Sequence, residues 1–279
     1  MKRTDLALEA HQQVKTADPD LDGVRVTRLA DDGIQITKVC VMSQEAAEKL
    51  DKPQGCYITL ELENLFRSSG TGQQAAQSLA DQLSSLLPRD LDSVLVVGLG
   101  NAAVTPDAIG PRTLDHLLIT RHLRSRLPDL FGGLVGCCAI APGVLGSTGM
   151  ESAALVRSAL AACRCEAMIV VDALAACEEK RLCCTVQLSD AGIIPGSGIG
   201  NTRAALNASA MGIPVIAIGV PTVIRADVLR GDEEPSDLIV TPSDIDRRIR
   251  TMARILAAGI NRALYPQLSE EEIAKLVEP

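Results

Sequence analysis

Residues 92–110, D-S-V-L-V-V-G-L-G-N-A-A-V-T-P-D-A-I-G, decide the fold. From Val94 to Val97 the chain is continuously apolar and then breaks into glycines. That is the pattern of a strand buried on both faces of a parallel sheet. What leaves such a strand lies at its carboxyl end, where open α/β sheets place their ligands. Gly98, Gly100, Asn101 and Asp107 occupy that position.

Downstream, strand-like and helix-like stretches alternate. A helix is predicted over 113–127, with Leu114, Leu117, Leu118 and Leu123 on one face and Pro128 as its stop. Strands are predicted over 134–140, over 167–171 ending in Asp172, from Pro214, and at an edge over 186–188. Helices are predicted over 151–163 and 202–211. A long one is capped by Ser243, with Ile245, Ile249, Met252, Leu256 and Ile260 inward. Upstream, V-R-V-T-R-L and I-Q-I-T-K-V-C-V flank an Asp-Gly turn. They predict an N-terminal β-hairpin with Val24, Val26, Ile34 and Ile36 on one face. A strand over 57–62 and a helix over 73–87 follow. The succession specifies a three-layer α/β/α sandwich with a mostly parallel or mixed sheet. Residues 1–22 are polar and aperiodic and read as an arm; 23–279 form a single α/β domain.

Composition narrows the function. The chain has 279 residues, a net charge of −8, no Trp, two Tyr and two Phe. So few aromatic rings argue against a base-stacking surface, and the acidity argues against phosphate-backbone binding, so no direct nucleic-acid partner is expected. Nine cysteines show no C-x-x-C spacing. Their odd number and apolar settings predict buried free thiols in a reducing cytoplasm. The longest apolar run, 134–145, is interrupted by Gly136, Pro142 and Gly143, so no membrane span is expected.

Three features carry chemistry. G-L-G-N-A-A matches the dinucleotide pattern G-x-G-x-x-A, but V-T-P-D intervenes where a helix should open, and no second acidic strand follows. Asp107 and Asp172 both leave strand ends and can meet in one crevice, to share a proton or ligate a cation. Each also has a structural reading, Asp107 in a T-P-D helix start and Asp172 as a cap for A-L-A-A-C-E-E-K. The loop S-D-A-G-I-I-P-G-S-G-I-G-N, residues 189–201, offers backbone N–H groups for an oxyanion or room for a peptide, or is simply a long turn.

The blocks V-G-L-G-N-x-x-V-T-P-D-A-I-G-P, L-x-T-R-H-L, A-P-G-V-L-G-x-T-G-M-E, V-V-D-A-L-A-A and S-D-x-G-I-x-P-G-S-G-I-G-N, in that order, resemble the germination protease family of spore-forming bacteria. The resemblance implies an endopeptidase that degrades small acid-soluble spore proteins in the spore core. It also implies a homotetramer and a fold similar to that of hydrogenase-maturation proteases. It places the two catalytic aspartates on Asp107 and Asp172. Self-processing of a zymogen at R-T-D-L-A-L-E would cut between Asp5 and Leu6, making 1–5 a short propeptide. On this reading Gly98, Gly100 and Asn101, with Gly196, Ser197 and Gly198, bind the extended substrate or the developing oxyanion. Ala191 and Ile194 depart from the Thr and His usual in the family. No metal ligand is assigned, although a divalent ion at Asp107 and Asp172 is the alternative, as in a metal-assisted peptidase of the hydrogenase-maturation type. A nucleotide-binding α/β module and an inactive assembly protein are the non-proteolytic readings.

Overall fold

The structure is a computed structural model and describes residues 3–18, 21–31, 33–63, 65–66, 71–196, 203–231 and 236–277. In chain order the helices are α1 (Ala7–Ala17), α2 (Gln44–Leu50), α3 (Thr71–Leu86), α4 (Ile109–Leu114), α5 (Arg121–Arg126), α6 (Pro128–Phe131), α7 (Leu145–Thr148), α8 (Ser152–Cys163), α9 (Ala208–Met211), α10 (Ala226–Arg230), α11 (Ile245–Leu264) and α12 (Glu270–Val277). The strands are β1 (Val24–Asp31), β2 (Ile34–Val41), β3 (Gly55–Glu61), β4 (Ser93–Gly98), β5 (Gly136–Ile140), β6 (Ala167–Ala176), β7 (Thr185–Ser189), β8 (Val215–Arg225) and β9 (Ile239–Val240). They form one mixed sheet in the order β1-β2-β3-β7-β8-β6-β4-β5, with β9 paired to β8. β5, β4, β6 and β8 run parallel, and the hairpin half is antiparallel. The architecture is the expected three-layer sandwich with an N-terminal hairpin.

Successive residues of the central strands enter different cores. Val94, Val96, Ile169, Val171, Ile216 and Ile218 pack with α3 and α11 on one face. Leu95, Val97, Met168, Val170 and Val215 pack with α8 on the other. The continuous apolar runs are thus strands covered on both sides.

Several elements differ from the sequence expectation. Val24 and Val26 stand opposite Val41 and Val39, whereas Ile34 and Ile36 face Asp31 and Leu29, so the two pairs lie on opposite faces of the hairpin. The helix predicted over 113–127 is instead α4 and α5. Thr120 between them is fully buried, and its Oγ1 accepts the Cys137 N–H at 2.8 Å, tying the break to β5. β7 is no edge strand; it lies between β3 and β8. β6 does not end at Val171 but runs to Ala176, so A-L-A-A is strand rather than helix. Only Ala208–Met211 of the 202–211 stretch is described as helix. α11 is preceded by Asp244 rather than capped by Ser243, and Asp244 pairs with Arg247 and Arg248.

Residues 4–11 are not an arm. Leu6, Ala7, Leu8 and Ala10 are almost completely buried. α1 hid from pattern reading because its inner face also carries Glu9 and His11. Glu9 accepts the N–H groups of Cys177 and Glu178 at 2.8 and 3.0 Å and pairs with the buried Arg181. The thiols are not all free either: Cys40 and Cys56, opposite one another on β2 and β3, form a disulfide.

Close backbone packing sets the end of β4. A Cβ on Gly110 would lie 2.2 Å from the Leu99 oxygen and 2.7 Å from that of Val171. Gly110→Ala should therefore cost about 1–3 kcal/mol by forcing backbone apart. Gly146→Ala, at an exposed site with no atom within 4 Å, should stay within about 0.5 kcal/mol of wild type. Equal losses in denaturant unfolding would contradict this packing.

Candidate active site

β4 ends paired at Gly98↔Val171, and the Leu99 N–H still reaches the Val171 oxygen at 2.8 Å. Asp172 is the next residue of β6, the first beyond that neighbour. Its side chain points to the α8 face, the face of Met168 and Val170. The β4 chain turns away through Gly100, whose φ of +110° admits no side chain readily, and returns in a 3-10 turn at Thr105–Asp107. A Cβ on Gly100 would meet the Asp107 carbonyl oxygen at 1.9 Å. The Asn101 N–H donates to Asp107 Oδ2 at 2.8 Å, which fixes the carboxylate over the loop. Neither aspartate acts as a helix cap.

Both carboxylates line one cleft of about 450 Å³ with Gly100, Asn101, Asp5, Gly196, Thr222 and Arg203. The environment separates them. Burial pushes the Asp172 carboxyl well above the ordinary value, and the Asp107 and Asp5 charges add to that against the Ala173 N–H bond and Arg203. Burial also raises Asp107, but the Asn101 N–H and the Arg203 guanidinium oppose the rise. Asp107 is thus the member that ionises first, and Asp172 the member that holds a proton. Two carboxyls so separated can act as base and acid.

The aspartates, Gly100, Asn101 and Gly196 are brought together as the sequence suggested. Gly98 is not part of the lining; its α-carbon lies under the Gly110 carbonyl, where a Cβ would come within 2.5 Å. Ser197 and Gly198 lie outside the described residues. Ala191 and Ile194 line an adjoining cleft of about 550 Å³, away from the carboxylates. Among the described residues no third His, Cys, Asp or Glu completes a metal-holding group. Arg203 sets a positive charge beside the pair.

Asp5 and Leu6 converge on the same place. Asp5 and Leu174 line both clefts. The Asp5 N–H donates to the Ala175 oxygen at 2.9 Å, and the Ala175 N–H donates to Asp5 Oδ2 at 2.8 Å. Residues 4–5 thus cover the edge of β6 that β4 leaves open. Leu6 is buried against Leu174, Ala176, Leu182 and Ile224. Lys52 donates from Nζ to the Thr4 oxygen at 2.9 Å, and burial pulls its pKa down against the attraction of Asp5.

Arg203, Lys52 and Gln187 were missed by sequence reading. Arg203 follows the Gly-rich block directly and could have been taken as its cationic end. Lys52, between α2 and β3, and Gln187 on β7 carry no local signal; they line the adjoining cleft.

The pattern of the family described as germination protease matches residues 1–234. The chain is 38% identical to the germination protease of Clostridium acetobutylicum, over 99% of this chain and 98% of that protein. It is 37% identical to that of Caldanaerobacter subterraneus subsp. tengcongensis, with the same coverage. A [NiFe] hydrogenase maturation protease, HycI from Thermococcus kodakarensis, covers 66% of this chain and 98% of its own at 17% identity and a TM-score of 0.39, a likeness too slight to carry any statement about fold or function. With a pattern match across most of its length and relatives aligned end to end, the chain belongs to the germination protease family.

Proposed function

We propose that this peptidase is an endopeptidase that hydrolyses small acid-soluble spore proteins in the spore core during germination. It is made as a zymogen that cuts itself between Asp5 and Leu6, and it works as a homotetramer. The observation that carries the reading is the placement of Asp5: a residue of the expected cut site lines the cleft of Asp107 and Asp172 and is tied to Ala175 of β6 by its N–H and its carboxylate.

In the reaction, ionised Asp107 takes a proton from water as its oxygen adds to the scissile carbonyl carbon. Protonated Asp172 gives its proton to the departing nitrogen as the C–N bond breaks, leaving one carboxylate product and one amine. Exchange of a proton between the two aspartates resets the pair. Arg203 offsets the negative charge of the cleft. Removal of residues 1–5 frees the open edge of β6 at Ala175 for a substrate strand. α1 stays anchored through Glu9.

Purified chain should release a fragment ending at Asp5 and leave Leu6 as the new N-terminus, read by intact mass. Asp107→Asn and Asp172→Asn should each slow that cut, and cleavage of a purified small acid-soluble spore protein beside the acidic residue of a T-[DE]-apolar-A site, by about 10²–10⁴-fold. Either mutant cleaving at the wild-type rate removes the aspartate mechanism.

The raised Asp172 carboxyl also predicts a pH signature. The folded chain holds this proton more tightly than the unfolded chain. Its stabilising contribution is full below the ordinary value of 3.8 and is lost as pH rises through the folded-state value. Asp172→Asn should gain stability relative to wild type across that window, as measured by denaturant unfolding. A difference that does not vary with pH would contradict the assignment.

A further inference from the structure

Gln187 of β7 is buried, and it lies in one row with the active-site strand. Asp172 of β6 is paired with Gly219 of β8, and Gly219 with Gln187. Residues in register point to the same face, so the Asp172 carboxyl and the Gln187 amide stand on either side of Gly219, about 10 Å apart by strand spacing. The Leu174 side chain lies over Gly219, where a Cβ would come within 2.3 Å of it. Leu174 and Asp5 line both the cleft of Asp172 and that of Gln187.

The Gln187 amide spans the bond expected to be cut. Its Nε2 donates to the Asp5 carbonyl oxygen at 3.2 Å, and its Oε1 accepts the Ala7 N–H at 2.8 Å. The two bonds fix which end of the amide is which, since only Oε1 can accept from an N–H and only Nε2 can donate to a carbonyl. The Asp5 oxygen is where negative charge collects when water adds to its carbon. A buried amide aimed at that oxygen needs no reorganisation as the charge appears.

We propose that Gln187 is a catalytic residue whose Nε2–H₂ polarises the scissile carbonyl and stabilises its oxyanion, while Oε1 holds the N–H two residues on. The inference rests on the reading that the bond cut is Asp5–Leu6. Spore-protein substrates would present the carbonyl of their acidic residue to the same amide. Gln187 then acts from the adjoining cleft and the Asp pair from their own, with Asp5 lining both.

The test compares wild type, Gln187→Leu and Gln187→Glu in self-processing and in steady-state cleavage of a purified small acid-soluble spore protein, with thermal unfolding in parallel. Gln187→Leu should lose about 10²–10³-fold in kcat, the usual cost of one oxyanion donor, and should lose less in KM. Gln187→Glu keeps the acceptor for the Ala7 N–H but sets a negative charge against the oxyanion when ionised. Its activity relative to wild type should therefore rise as pH falls and the new carboxyl regains a proton. Wild-type kcat in either variant, or a loss in KM alone with a flat pH ratio, overturns the role of Gln187. A wild-type chain that cuts only at another bond overturns the processing site and this role together; a chain cutting at Asp5–Leu6 with an indifferent Gln187 overturns only the latter.

Discussion

The site depends on one mismatch of length: β6 outruns β4. Residues 172–176 of β6 have no β4 partner, and an unpaired backbone edge in a buried sheet must find hydrogen bonds elsewhere. Here they come from the chain's own beginning. Asp5 pairs with Ala175, and Glu9 takes the N–H groups of Cys177 and Glu178. The same gap exposes Asp172 on one side and gives the β4 chain room to turn back with Asp107. Carboxylate pair, covering segment and anchored helix are three consequences of one strand ending early.

Glycines make that geometry attainable, at two positions in different ways. Gly100 supplies the positive φ that brings Asp107 over its own loop. Gly110 lets backbone touch backbone, so that α4 presses on the ends of β4 and β6. Both effects position Asp107 and the loop that carries it. G-L-G-N is therefore a device for placing Asp107, which explains why its resemblance to a dinucleotide fingerprint lacked the helix and the second acid.

The parallel half of the fold was legible because its strands are buried on both faces, and V-L-V-V and M-I-V-V leave no polar phase to confuse. The aspartates were legible as carboxylates next to such strands. Three kinds of information were not. The extent of β6 was hidden because A-L-A-A fits helix and strand alike. α1 was hidden because Glu9, though charged, is satisfied inside by backbone N–H groups and Arg181, which inverts the polar-outside rule. Gln187 was hidden because its meaning lies in which strands neighbour which, and sheet order β3-β7-β8-β6 crosses the chain order.

Charge balance ties the cleft to its covering segment. Asp5, Asp107 and Asp172 gather in a poorly solvated space with Arg203, while Lys52 reaches the covering segment from the adjoining cleft. Three full negative charges against these two cations would leave an excess that burial makes expensive. The least costly adjustment is a proton on the most buried carboxyl, and that is Asp172. Burial is the first cause of that rise, and the neighbouring carboxylates add to it. Each aspartate accepts one backbone N–H, Asp107 from Asn101 and Asp172 from Ala173, so what separates them is burial, deeper at Asp172. An arrangement that burdens folding thus gives two chemically identical side chains different proton affinities.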